Sequence, residues 1–83
     1  ERIDLTPKEF GFLALLARHP GRLLTHRLIL QTVWGEAYGT ETQYLRVYAS
    51  QLRKKLAGHP APALVTEPGV GYRLVDERDQ LDA

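Results

Sequence analysis

Thr42-Gln-Tyr-Leu-Arg-Val-Tyr-Ala-Ser-Gln-Leu-Arg-Lys-Lys-Leu56 spaces Leu45, Tyr48, Ala49, Leu52 and Leu56 at the i, i+3, i+4, i+7, i+11 rhythm of a helix with one buried face. Arg46, Ser50, Arg53, Lys54 and Ala57 fall on the other side, and Gly58 suits the position just past a helix end. His59-Pro-Ala-Pro-Ala63 cannot continue the helix, because two prolines interrupt it. Leu64-Val-Thr-Glu-Pro-Gly-Val-Gly-Tyr-Arg-Leu-Val75 then divides into two strands, Leu64–Thr66 and Tyr72–Val75. Pro68-Gly69 is a turn dipeptide between them, and Gly71 lets the chain bend again. A basic-faced helix is thus followed at once by a short hairpin.

Upstream, Thr6-Pro-Lys-Glu9 reads as a helix start, with Thr6 as N-cap, Pro7 at the first helical position and Glu9 closing a capping box. Leu5 and Phe10 stand at hydrophobic-staple spacing. The first helix is expected from Pro7 to Arg18, with Phe10, Leu13, Ala14 and Ala17 on one face and Phe12, Leu15 and Leu16 widening it. His19-Pro-Gly21 ends it, and Arg22-Leu-Leu-Thr25 is a short extended link. Thr25 caps a second helix, His26 to Trp34, with Leu28, Ile29, Thr32 and Val33 toward the core and Gly35 as its stop. Thr40 or Thr42 caps the third helix after the loop 35–41. Residues 1–5 alternate like the end of a strand, and residues 76–83 form an acidic tail without periodicity.

Eighty-three residues make one small domain. There is no cysteine, so disulfides and thiolate metal sites are excluded. His19, His26 and His59 stand apart from one another and from carboxylates, so no metal site is expected. No apolar run has the roughly 20 residues of a membrane span, and no signal-peptide pattern occurs. A core free of acids and cysteine fits the cytoplasm. Net charge is only +1, but residues 18–73 hold eight Lys/Arg against three acids, while residues 74–83 hold one against four. The basic middle carries the signal that the total hides.

The hairpin needs a third strand, and Leu23-Leu24-Thr25 is the nearest candidate. The order helix, short strand, helix, helix, strand, strand is that of an α+β winged helix-turn-helix, three helices with a C-terminal hairpin wing. A helix that buries one face and offers polar side chains on the other can read the major groove of DNA. Arg46, Ser50 and Arg53 line one stripe with Gln51 beside it; arginine can fork onto guanine and glutamine onto adenine. Lys54 and Lys55 suit phosphates, and they also balance the helix dipole. Tyr44 is ambiguous, whereas Tyr48 reads as core. Trp34 reads as a hydrophobic anchor whose indole N–H can also reach a phosphate. Tyr72 packs its ring with its hydroxyl toward backbone. An enzyme is not expected: Ser50 has no histidine beside it, and Gly69-Val-Gly71 does not lead into a helix.

Leu5-Thr-Pro-Lys-Glu-Phe10, Leu24-Thr25 with Val33-Trp-Gly35, Leu52-Arg-Lys-Lys-Leu56 and Gly69-Val-Gly-Tyr-Arg73 together resemble the C-terminal effector domain of OmpR/PhoB-type response regulators, over residues 3–75. Tyr44-Leu-Arg-Val-Tyr48 with Thr66-Glu67 further resembles the KdpE subgroup, which controls a potassium-uptake operon. The resemblance implies a bacterial transcription factor of a two-component phosphorelay, with no cofactor in this domain. A sensor histidine kinase phosphorylates an N-terminal receiver domain, which does not lie in these residues. The receivers form a homodimer, and two effector domains bind tandem half-sites of double-stranded DNA. The family's N-terminal sheet is largely missing, with only a remnant strand, Arg2 to Leu5, expected. By position, helix 42–57 would be the recognition helix and residues 66–72 the wing, on the backbone or minor groove. Ser50, Gln51 and Arg53 fall where members contact bases or phosphates. Trp34, Thr66 and Tyr72 fall where members contact phosphates, and loop 35–41 falls where some touch RNA polymerase. Members often carry arginine at the position of Gln51, and some at that of Pro68. Without the wing arginine, Thr66 and Gly69 are expected to supply backbone-type contacts.

The expected specificity set is therefore Arg46, Ser50, Gln51 and Arg53, with Arg53 contributing affinity and little stability. Two other readings stand on the residues alone. The same helix could dock protein instead of DNA, or bind DNA without sequence preference.

Overall fold

The computed structural model describes residues 4–58 and 62–75. In chain order it contains α1 (Pro7–Ala17), β1 (Leu24–Thr25), α2 (His26–Val33), α3 (Thr42–Leu56), β2 (Ala63–Glu67) and β3 (Gly71–Val75). The element order matches the winged-helix expectation, and Ala63 belongs to a strand rather than to the break before it. Asp4 and Leu5 are not in a strand, so the remnant strand is absent from the part of 1–5 that is described. Residues 1–3, 59–61 and the acidic tail 76–83 lie outside the described residues.

α1 starts as its sequence requires. Thr6 Oγ1 accepts from Glu9 N–H at 3.2 Å, and Glu9 Oε1 accepts from Thr6 N–H at 2.9 Å, with Pro7 at the first turn. The buried stripe differs from expectation. It is Glu9, Phe12, Leu15 and Leu16, whereas Phe10 is 63 % exposed and Ala17 is exposed. The core is therefore not free of acids. Glu9 is buried, and Lys55 near the end of α3 meets it at 2.6 Å while also donating to the Asp4 carbonyl at 2.8 Å. A buried carboxylate needs such a partner, because an unpaired one loses its hydration without compensation. Lys55 is thus paired with Glu9 and the Asp4 carbonyl, although its side chain stays partly exposed.

In α2 the core residues are Ile29 and Leu30, not Leu28 and Thr32, which are exposed. Thr25 Oγ1 accepts from Leu28 N–H at 3.2 Å, as a cap should. Lys8 Nζ donates to the Val33 carbonyl at 3.0 Å, satisfying an orphan acceptor where the helix dipole is negative.

The three strands form one antiparallel sheet in the order β1-β3-β2. Leu24 pairs with Tyr72, and β2 pairs with β3 from Ala63–Val75 to Glu67–Gly71. Pro68 and Gly69 occupy the centre of a turn closed by Val70 N–H to Glu67 O at 3.0 Å. Gly69 has φ 76°, the left-handed value that a type II turn demands after proline. Gly71 serves a different purpose from the bend expected. Its φ is not positive, but a Cβ there would stand 1.9 Å from the Leu24 carbonyl oxygen. Only glycine lets β1 approach β3 closely enough to pair. Between helices and sheet, Phe12, Leu16, Ile29, Leu30, Leu45 and Leu52 are fully buried. Tyr72 joins them, its ring edge-on to Phe12 with centroids 5.5 Å apart.

Candidate nucleic-acid interface

α3 divides into sides because its apolar residues are few and regularly spaced. Leu45, Ala49, Leu52 and Leu56 are buried, which turns the remaining sides outward. Neither Thr40 nor Thr42 caps it. Glu41 is the N-cap residue, and its carboxylate accepts from Gly39 N–H at 2.9 Å and Thr40 N–H at 3.1 Å instead. Those backbone donors, Gly39 first, hold the Glu41 carboxyl below its ordinary range. This fixes the end of loop 35–41 and turns its negative charge toward its own backbone.

One flank of α3 is aromatic. Trp34 lies 5.1 Å from Tyr48 and 6.4 Å from Tyr44, and Tyr38 lies 6.0 Å from Tyr44, centroid to centroid. Lys8 Nζ sits 5.8 Å from the Trp34 ring, within cation–π range. Trp34 and Tyr48 are half-buried, so Tyr48 is the core-edge residue expected and Trp34 is the anchor that packs the end of α2 onto α3.

The other flank faces the wing. Arg46 and Arg53 on α3 and Thr66, Pro68 and Gly69 on the hairpin wall a groove of about 440 Å³, which His26, Thr42 and Tyr72 also line. No acid lines it. Glu67, the nearest wing carboxylate in sequence, pairs instead with Arg73 at 3.1 Å across the hairpin. Two guanidinium groups and two threonine hydroxyls therefore border one open groove, the donor set that an oxyanion requires.

Arg53 does more than line this groove. Its Nε donates to the Leu64 carbonyl at 3.2 Å, and its guanidinium also hydrogen-bonds Thr66 Oγ1. It ties α3 to β2, linking residues eleven and thirteen positions apart. Tyr72 is 3 % exposed and contributes a buried ring, held edge-on to His26 at 5.7 Å. Burial raises its phenol pKa, while the nearby charges of Arg53 and Arg46 pull it down.

The nine residues expected from sequence thus separate into three groups. Arg46, Arg53, Thr66, Gly69 and Tyr72 meet at the groove. Ser50, Gln51 and Lys54 are exposed on α3. Trp34 stands apart on the aromatic flank. His26 and Thr42 were absent from the expected set although they line the groove. Their only sequence signal is their place at the first turns of α2 and α3. Among the described residues, no group of three or more His, Asp or Glu could hold a metal ion, and no helix is long and apolar enough to cross a membrane.

Comparison with known proteins agrees with the winged-helix fold. The family profile described as transcriptional regulatory protein, C terminal, matches residues 1–74. The chain is 52 % identical over 74 residues to the transcriptional regulatory protein KdpE of Mycobacterium tuberculosis, covering 87 % of this chain and 33 % of that one. It is 43 % identical over 77 residues to the KDP operon transcriptional regulatory protein KdpE of Escherichia coli, covering 90 % of this chain and 34 % of that one. The chain thus spans about a third of the length of these curated relatives. The crystal structure of the DNA-binding domain of CpxR from E. coli superposes with a TM-score of 0.76 at 32 % identity, covering 89 % of this chain and 74 % of that one. The chain belongs to the family of C-terminal domains of transcriptional regulatory proteins, the OmpR/PhoB-type winged helices, and resembles the KdpE subgroup within it.

Proposed function

We propose that this chain is the sequence-specific DNA-binding effector domain of a bacterial two-component response regulator. In this reading α3 enters the major groove and the hairpin lies on the flanking backbone or minor groove. The observation that carries it is the groove between α3 and the wing, bordered by Arg46, Arg53 and Thr66 with no acid among the described residues of its lining. A phosphate there would meet two guanidinium groups and hydroxyl donors. Ser50 and Gln51, exposed on the adjoining side of α3, would meet base edges at the same time. Lys54 adds charge at the margin.

The similarity to KdpE supports control of potassium-uptake genes. A receiver domain on the same polypeptide, phosphorylated by a sensor histidine kinase, would bring two effector domains together on tandem half-sites. Linkage would raise the effective concentration of the second domain and compensate for weak single-domain binding. Loop 35–41, held by the Tyr38–Tyr44 contact and by Glu41, would be the surface offered to RNA polymerase. The site of action would be the cytoplasm, and no catalytic step is assigned.

Chemical-shift mapping during titration with a duplex tests the placement. The account expects perturbation of Arg46, Ser50, Gln51, Thr66 and Gly69, with Phe10 and Arg18 unmoved. Shifts centred on Phe10 and Arg18 would contradict it and point to another docking face.

A further inference from the structure

His26 lines the groove between α3 and the wing, yet the binding set above gives it no role. It opens α2 half-buried, with its ring edge-on to Tyr72 at 5.7 Å. Its backbone N–H donates to the Val70 carbonyl at 3.1 Å, which fixes the residue to the base of the wing. None of the side-chain hydrogen bonds among the described residues uses the imidazole. Packing therefore holds the ring at the groove and leaves its nitrogens for a ligand.

The groups that share this groove with His26 carry one sign of charge. α3 supplies Arg46 and Arg53, β2 supplies the uncharged Thr66, and β3 supplies the Tyr72 phenol, which burial keeps protonated. Arg27, the next residue of α2, turns its guanidinium onto Gly39 of loop 35–41. Glu67 of the wing is paired with Arg73. No carboxylate among the described lining residues offers the imidazole a counter-charge. A DNA phosphate would supply one, and a nearby anion favours a protonated ring. Histidine is the side chain whose charge ordinarily changes between pH 5 and 8. We infer that His26 is a proton-dependent phosphate ligand, so that the domain takes up a proton there as it binds DNA. The charged ring adds affinity at low pH, and that gain is lost as pH rises. This inference rests on the DNA-binding reading and adds to it a response of affinity to pH. A phosphate contact carries no base information, so sequence preference should not change with it.

The test titrates the 83-residue chain against a potassium-uptake promoter duplex and its scrambled counterpart, between about pH 8 and pH 6 at one ionic strength. Uptake of a single proton limits the gain to about tenfold per pH unit. The wild type should gain about three- to tenfold in affinity over this range, by the same factor on both duplexes. His26→Gln should abolish the pH dependence, and His26→Arg should bind tightly throughout the range. Lost packing against Tyr72 would lower affinity equally at every pH, so the pH profile separates the ionic role from a structural one. Glu9 and Glu41 titrate below this window and Tyr72 above it. A pH gain that persists in His26→Gln overturns the inference. So does wild-type affinity that ignores pH, and both results leave DNA reading intact. Failure to bind either duplex at low salt overturns the DNA-reading proposal itself, and this inference with it.

Discussion

Arg53 on α3 donates through Nε to the backbone carbonyl of Leu64 on β2 at 3.2 Å. With the second bond to Thr66 Oγ1, one side chain sets the position of the wing relative to the helix. Both bonds need a planar fork, which lysine lacks. Arg53→Ala should weaken DNA binding by about 1–3 kcal/mol and also lower stability by about 1 kcal/mol. Arg53→Lys should keep the charge and restore neither bond. Amide hydrogen exchange along β2 with parallel titrations checks this. Unchanged exchange in both variants would make Arg53 a DNA contact alone, as its exposed place on α3 suggested from sequence.

The buried Glu9 gives a pH signature. The Lys55 hydrogen bond, followed by the Thr6 amide, holds its carboxyl below the ordinary value of 4.5 in the folded state. A depressed pKa means that ionised Glu9 favours the folded form. That stability is fully present above about pH 4.5 and is lost as pH falls through the folded-state value. Lys55→Met should cost about 1–3 kcal/mol near neutrality, less than a fully buried pair because Lys55 is partly solvated. It should also reduce Glu9's share of the acid sensitivity, since only the Thr6 hydrogen bonds then favour the carboxylate. Melting temperatures across pH 3–7 read both effects, and an unchanged profile in Lys55→Met would show that the pair is incidental.

Gly71→Ala should be among the most damaging single changes. A Cβ at 1.9 Å from the Leu24 carbonyl oxygen and 2.9 Å from the Thr25 Cα must displace backbone, which no rotamer change can relieve. A loss of about 3 kcal/mol or more is expected, in the range where a named steric mechanism is required. Denaturant unfolding measures it. A loss below about 1 kcal/mol would mean that β1 pairs only loosely with β3.

Leu52→Ala separates folding from binding. Leu52 is fully buried at the centre of the α3 core face, so truncation should cost roughly 2–5 kcal/mol of stability. Affinity of the molecules that remain folded should hold, as seen by titration well below the melting temperature. A selective affinity loss without destabilisation would contradict the assignment of α3 faces.

The α3 faces were legible in the sequence because polar residues separate Leu45, Ala49, Leu52 and Leu56, which leaves one possible stripe. α1 was not. Phe-Gly-Phe-Leu-Ala-Leu-Leu-Ala is apolar almost all round, so periodicity could not choose between Phe10 and Phe12. What chose was tertiary: the stripe that includes Glu9 meets Lys55, forty-six residues away. The same limit applies to Arg53. Its exposed position on α3 follows from local spacing, but its bonds to Leu64 and Thr66 depend on where the hairpin returns. Gly71 shows it again, since a glycine beside a turn reads as a bend until the strand opposite is placed. The cap of α3 failed for a local reason. Two threonines stood at cap-like positions, and the longer Glu41 side chain reached the loop amides instead.

Sequence-specific recognition of double-stranded DNA is tested most directly by titrating the chain against two duplexes at two salt concentrations. One duplex carries a potassium-uptake promoter fragment and the other is its scrambled counterpart. With roughly four to six phosphate contacts, log affinity should fall against log salt with a slope of about −4 to −5, and the promoter should remain preferred at both salts. Equal affinity for the two duplexes would contradict sequence-specific readout, and binding that ignores salt would contradict DNA as the partner.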